Sequence, residues 1–354
     1  MEARAATSMP PVPRQLRGGA LPDWAPYGVV AGSLALSTLV LSAAGSLGVA
    51  LLMVVATIVS CVAIYAWSRP VEGPKRALDR LATFTIVAAF GLALIPLISL
   101  LYQVTSRGLP GLDWEFLTGT PHGIINGGGA AHAIVGTIVI TGVAALISVP
   151  IGIMAAIYLN EYGAGRLARA LTFFVDVMTG IPSIVAGLFA YALFAIFLGP
   201  GIRLGVMGSV ALSVLMVPIV IRSAEEVLKV VPDHLREAAY ALGTPKWKTI
   251  VKVVLPTAFA GLVTGVMIAI ARIVGETAPL LVTTGVVDSI NTNPFQGRMQ
   301  NLAVYAYSEY RTPGIHKTDS YDRAWAAALT LIVIVMLLNV AARLVYRRYR
   351  TEIR

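Results

Sequence analysis

Long apolar runs, each closed by a short polar or basic segment, set the pattern of this chain. Eight of them are long enough to cross a bilayer as helices, which takes roughly 20 mostly apolar residues. They fall at about 27–44, 47–67, 81–102, 133–159, 171–198, 204–221, 256–287 and 324–346. Only Gly45 and Ser46 separate the first two, so that pair reads as a tight helical hairpin. The pattern predicts an all-α, polytopic membrane bundle. The first run is longer than a signal-peptide core and no convincing cleavage site follows it, so it reads as retained. No internal repeat is visible.

The basic residues give the orientation. Arg4, Arg14 and Arg17 precede the first run, and Arg69, Lys75, Arg76 and Arg80 follow the second. Arg166 and Arg169 follow the fourth; Lys229, Arg236, Lys246, Lys248 and Lys252 follow the sixth; Arg343, Arg347, Arg348, Arg350 and Arg354 close the chain. With eight crossings all of these share one side, which the positive-inside rule makes the cytoplasm, together with both termini. The loops 105–132 and 288–323, mixed in charge and Gly-rich or polar, fall outside. Residues 1–26, rich in Pro, Arg and Ala, read as a disordered cytoplasmic tail. Residues 27–80 read as an extra N-terminal hairpin with a basic linker, and 81–354 as a core of about six helices.

Composition agrees with this pattern. The chain has 354 residues, 57% hydrophobic and 13% charged, about half the charged fraction of a soluble domain. Its net charge of +9 and pI near 9.8 do not mark a nucleic-acid binder. The charge sits in short segments between apolar runs, not on one soluble surface. The lone Cys61 lies inside an apolar run and allows no disulfide framework. His122, His132, His234 and His316 are scattered, with no HExxH and no nucleophile elbow, which excludes the familiar hydrolase and metalloprotease constellations. No GxxxxGK[ST] loop is present, so the chain has no phosphate cradle for ATP.

The stretch VPDHLREAAYALGTPKWKTIVKVVLP, residues 231–256, carries the most information. Pro232 and Asp233 suit a helix start, Asp233 meeting the positive end of the helix dipole. Gly243 stands where a left-handed residue closes that helix. Thr244 as N-cap and Pro245 as first helical residue then open a second helix. Two short helices are expected on the cytoplasmic surface, with Ala238 and Ala239 forming a smooth flank beside Glu237.

Three further features lie within the apolar runs. Arg272 sits about halfway along the seventh, with Glu276 one turn later, and Ala269, Gly265, Gly261 and Ala258 precede them on one helical face. A mid-bilayer ion costs at least about 2.5–3.5 kcal/mol on insertion scales, so Arg272 should face a cavity or a partner. Its planar fork suits an oxyanion, with Glu276 tuning its strength; a self-contained Arg272–Glu276 pair is the plainer alternative. Arg222, at the end of the sixth run, is equally well explained by the positive-inside rule. In the fifth run, Pro182 kinks the helix beside Gly180 and Ser183, and Asp176 is expected to reach the interface.

The motif Glu237-Ala238-Ala239, three residues, Gly243, nine residues, Val253 and then Leu255-Pro256 resembles the EAA loop of ABC importer permeases, which usually have Ile at the place of Val253. The resemblance implies the type I permease fold, with Glu237, Ala238, Ala239 and Gly243 docking on an ATPase subunit and Trp247 wedging nearby. The runs IPSIV (181–185), LREAAYALGTPKWK (235–248) and AIARIVGETAPLL (269–281) are similar to phosphate-specific permeases of the PstA type, over about residue 81 to the end. That family implies phosphate passage past Arg272, Glu276 and Arg222. It also implies a PstC-type second permease, a PstB-type ATPase dimer that binds the ATP and Mg, and a PstS-type phosphate-binding protein. No cofactor is expected on this chain. A permease for sulfate or another oxyanion, or an ion-coupled secondary carrier, remain the alternatives.

Overall fold

The structure, a computed structural model, describes residues 20–46, 48–121, 128–163 and 165–350, with side chains as far as 344. Arg4, Arg14, Arg17, His122 and Arg354, the first 19 residues of the expected tail, and the side chains of Arg347, Arg348 and Arg350 lie outside that set. The described residues are helical and hold no strand. In order they form α1 (Ala25–Ala43), α2 (Val49–Glu72), α3 (Pro74–Gly108), α4 (Trp114–Thr118), α5 (Ala131–Ile157), α6 (Arg166–Thr179) and α7 (Ser183–Leu198). There follow α8 (Gly205–Lys229), α9 (Asp233–Ala241), α10 (Lys246–Thr249), α11 (Leu255–Val274), α12 (Ala278–Thr283), α13 (Leu302–Arg311) and α14 (Lys317–Arg350). Two π-helical turns, Tyr158–Tyr162 and Ile250–Val254, extend α5 and join α10 to α11.

Two compact units divide the chain, Met1–Tyr102 and Gln103–Arg354. In the first, α1 and α2 form the expected hairpin. Ala25, Val29, Ser33, Ser37 and Leu41 are buried on α1, and Ala56, Ser60, Ile64 and Ser68 on α2. Each set repeats every four residues, so each is one helical stripe, and its small members let the backbones approach closely. Trp24 and Trp67 stack edge to face across the mouth of the hairpin at 5.9 Å. Leu21, within the expected tail, is buried, and its N–H donates to Glu72 Oε1 at 2.8 Å.

In the second unit α5 and α8 make the central pair. Ser209 Oγ donates to the Ile140 carbonyl at 3.0 Å and Ser213 Oγ to that of Ala144 at 3.4 Å. Both bonds span 69 residues, so the two helices run parallel. The chain between two parallel crossings must return across the membrane. That return is α6 and α7, which meet at 109° around Gly180–Pro182. Among the described residues seven helices are long and apolar enough to span, and the bent pair, taken as one crossing, brings the number to eight. The fifth run is therefore one crossing made of two helices at a right-angled break, sharper than the kink the sequence led us to expect. Pro182 explains the break, because it lacks the N–H that would continue the ladder.

Helix α11 runs antiparallel to α8. A Cβ on Gly261 would meet Val227 at 2.5 Å, and one on Gly265 would meet Ser223 Oγ at 2.8 Å. The same register continues past the end of α11, since a Cβ on Gly208 would lie 2.7 Å from Leu280 of α12 and 2.4 Å from Thr284. Helices α11 and α12 thus trace one crossing along α8, broken at 275–277 near its middle.

The loops read as external pack on each other. Phe116, buried on α4, meets Tyr305 of α13 edge to face at 6.5 Å. The Asp113 side chain caps α4 by accepting from the Phe116 N–H at 2.6 Å. His132, at the start of α5, lies 3.3 Å from Gln300 through its Nε2, which ties that end to the segment before α13.

Because Gly208 has no room for a side chain, Gly208→Ala should cost about 1–3 kcal/mol through overpacking. A thermal melt of the isolated chain in detergent would show it as a lower midpoint. Gly142→Ala, at a position with no neighbouring atom within 4 Å, should leave the midpoint unchanged or raise it.

Candidate functional site

The connection from α8 to α11 is built around one arginine. Arg236, on α9, keeps only 12% of its side chain exposed and Glu161, in the π-helical turn after α5, only 5%. Arg236 donates from Nη2 and Nε to Glu161 Oε1 at 3.0 and 3.2 Å. Its remaining donors go to the Leu228 carbonyl at 3.0 Å, the Val231 carbonyl at 2.6 Å and Asp233 at 2.9 Å. The Leu228 carbonyl, in the last turn of α8, also accepts from the Val231 N–H at 3.3 Å, and the Val231 carbonyl lies just past the helix, where internal donors run out. A guanidinium there donates to both carbonyls and meets the negative end of the dipole. The sequence offered Arg236 only as a positive-inside charge. Its partner Glu161 lies 75 residues away, and no local pattern announces it.

Helix α9 ends as its sequence predicts. Gly243 has φ +74°, its N–H donates to the Tyr240 carbonyl at 2.9 Å, and the Thr244 N–H donates to that of Ala239 at 3.1 Å. These two bonds are the Schellman closure. The second helix differs from expectation. The helix starts one residue later than expected, so Thr244 stands before the cap and Pro245 holds the N-cap position in extended backbone. Helix α10 is one turn long and runs through the Ile250–Val254 π-helical turn straight into α11. It is the base of the seventh crossing and not a separate surface helix. The π-helical turn lies immediately before Pro256, which has no N–H to give the regular ladder.

Of the residues expected to dock, Glu237, Ala238 and Gly243 are exposed, whereas Ala239 is buried against the bundle. Beside them the loop presents Leu242 at 85% exposure and Trp247 at 63%, two large apolar groups on a polar surface. Lys246 lies over the Tyr162 ring at 4.8 Å, a second tie between this loop and the end of α5.

The membrane charges differ from one another. Arg222 of α8 pairs with Asp176 of α6 and, at 3.1 Å, with Glu225, which also holds Lys229 at 2.7 Å. Two cations and two anions make that network neutral. Asp176 is thus a bridge from α6 to α8, a role its expected interface position did not foretell.

Arg272 forms no ion pair among the described residues and is exposed on α11. The small stripe Ala258, Gly265 and Ala269 is buried against the bundle, as the spacing predicts, and Gly261 abuts Val227. Arg272 stands beside that stripe, in the last turn of the helix. Glu276 does not share its helical face, because α11 ends at Val274 and Glu276 lies in the break. The Glu276 N–H closes on the Ile273 carbonyl at 3.1 Å, and the Asn301 side chain donates to the Glu276 carbonyl at 3.5 Å. The break comes at Gly275, the residue least suited to continuing a helix.

The chain is similar to known proteins in sequence and in fold. A family model described as "Binding-protein-dependent transport system inner membrane component" matches residues 148–353. The chain is similar to "Phosphate transport system permease protein PstA 1" of Mycobacterium tuberculosis, 45% identical over 78% of this chain and 90% of that protein. It is also similar to "Phosphate transport system permease protein PstA" of Yersinia pestis, 39% identical over 77% of this chain and 92% of the other. Among solved structures, a bacterial alginate ABC transporter in complex with an alginate pentasaccharide-bound periplasmic protein holds a chain of similar fold. Its TM-score is 0.55 at 15% identity, covering 77% of this chain and 96% of that one.

Glu161→Gln removes the charge that Arg236 answers, and losing one member of a buried pair costs about 3–5 kcal/mol. We expect faster limited proteolysis between Lys229 and Lys246 in this variant. Cleavage at the wild-type rate would show that α9 is held by other contacts.

Proposed function

The chain belongs to the inner-membrane permeases of binding-protein-dependent transport systems, in their PstA phosphate branch, and from that premise we propose how it works as half of a phosphate pathway. It is a transporter subunit and not an enzyme; ATP is hydrolysed by a separate subunit. Its partners on this reading are a PstC-type permease, a PstB-type ATPase dimer carrying ATP and Mg, and a PstS-type phosphate-binding protein. Both termini and the α8–α11 connection face the cytoplasm. The clustering of basic residues on that side and the even number of crossings support this orientation.

The observation that carries the mechanism is the anchoring of α9. Glu237, Ala238, Gly243, Leu242 and Trp247 face outward for the ATPase, while Ala239 packs beneath and Arg236 fastens the helix to α5 and α8. Closure of the ATPase pair then pushes α9, and through Arg236 the push reaches two crossings at once. In the membrane, Arg272 is the unpaired cation that meets phosphate, since a guanidinium donates two parallel hydrogen bonds to an oxyanion. Glu276, in the flexible break, limits how tightly the anion is held. Arg222 joins the pathway only when α6 moves Asp176 away.

Two variants test this in liposomes holding the complete transporter with its phosphate-binding protein. Arg272→Gln should assemble and still lose phosphate uptake by about tenfold or more, the equivalent of about 1.4 kcal/mol of lost stabilisation. Wild-type uptake by Arg272→Gln would make that residue structural. Glu237→Lys should insert normally while phosphate-loaded binding protein no longer stimulates ATP hydrolysis; normal stimulation would remove Glu237 from the docking surface. Uptake of sulfate in preference to phosphate by the wild type would keep the machine and replace its substrate.

A further inference from the structure

The N-terminal unit contains a cleft of about 930 Å³ between α1, α2 and the first part of α3. Its body is apolar, lined by Val30, Leu34, Met53, Ala56, Val87 and Leu92, and its other end is charged. Asp23, Glu72, Arg76, Asp79 and Arg80 gather there. Glu72, only 2% exposed, and Arg80 are spent on each other in a two-pronged pair at 2.5 and 2.7 Å. Ser68 Oγ and the Leu21 N–H add bonds to Glu72 at 2.6 and 2.8 Å, which fix the floor of the charged end. Asp23, Arg76 and Asp79 are exposed and form no ion pair among the described residues. The cleft therefore offers one free cation and two free anions above a neutral, rigid floor.

We propose that this cleft holds one phospholipid with a primary-amine headgroup of the phosphatidylethanolamine type. Length is the first argument. Beyond the charged end, from Pro26 to Leu34 on α1 and from Thr83 to Leu92 on α3, the lining runs eight to nine residues, roughly 12–14 Å of helix. Half of a hydrocarbon core of roughly 30 Å is about 15 Å, so the apolar part matches the acyl chains of one leaflet. Charge is the second. A headgroup phosphate fits Arg76, and an ammonium group beside it fits Asp23 and Asp79. A primary ammonium donates hydrogen bonds to those carboxylates, which a quaternary choline cannot do for want of N–H groups. A purely anionic headgroup would satisfy Arg76 and leave two carboxylates facing it. The site lies outside the coupling loop and the membrane charges of the pathway, and it gives the extra hairpin a role as a lipid holder.

The test uses the full-length chain in nanodiscs made with equal amounts of phosphatidylethanolamine, phosphatidylcholine and phosphatidylglycerol of identical acyl chains. Lipid retained on release is read by native mass spectrometry. Wild type should keep the ethanolamine lipid several-fold over the other two. Asp23→Asn with Asp79→Asn should erase its advantage over the choline lipid, and Arg76→Gln should lower retention of all three. Gly91, which lines the cleft, has open space where a Cβ would stand; Gly91→Phe should fill that space and abolish retention while the melting midpoint holds. Equal retention of the three lipids, a preference for the anionic one, or ethanolamine retention surviving Gly91→Phe would each overturn the proposal.

Discussion

The connection from α8 to α11 is held in place by the buried guanidinium of Arg236. Five of its hydrogen bonds reach three different elements: the π-helical turn beyond α5, the carbonyl end of α8, and the first turn of α9. A surface ion pair contributes about 0–1 kcal/mol and would slip under load. This one is largely buried and also donates to the backbone carbonyls of Leu228 and Val231, so moving α9 alone would strand a buried charge and break both of those bonds. Motion of α9 is therefore motion of the α5–α8 pair. Those two helices are parallel and bonded to each other through Ser209 and Ser213, which makes them one stiff unit.

The same accounting of charge separates the two membrane arginines. Arg222 is already neutralised by Asp176 and Glu225, and an anion would have to displace a carboxylate to reach it. Arg272 has no such competitor among the described residues. It also sits one turn before a break that leaves backbone groups outside the regular ladder, and non-helical backbone at membrane depth is tolerated where it is buried in protein or lines a water-filled cavity. An unpaired cation beside an interrupted helix at mid-crossing is a combination that a purely structural pair would not need.

Much of this was legible in the sequence, and the limits have physical reasons. Apolar runs are set by bilayer thickness, so the eight crossings could be counted. The Schellman closure at Gly243 could be read too, because glycine alone takes a positive φ at no cost. The small stripe on α11 was visible as spacing. What could not be read were features that depend on distant partners or on where a helix begins and ends. Glu161 finds Arg236 only through the parallel packing of α5 on α8. Thr244 is not the cap because the helix opens one residue later, at Pro245. The i,i+4 rule placed Glu276 on the face of Arg272, but the rule holds only while the helix continues, and Gly275 ends it. Asp176 near a break reads as an interface residue until α8 brings Arg222 beside it.

The added N-terminal hairpin obeys a constraint that its own packing does not reveal. The curated relatives are matched over nine-tenths of their length by less than four-fifths of this chain, so this chain is the longer one. An extension of one crossing would invert every loop after it, carrying the α8–α11 connection to the side opposite any ATPase. An extension of two preserves the side of each. The α1–α2 seam also closes on its own stripes, and the Glu72–Arg80 pair settles its charge within the first 102 residues. A pair of crossings that satisfies itself internally thus leaves the side of every later loop unchanged, which a single helix would not.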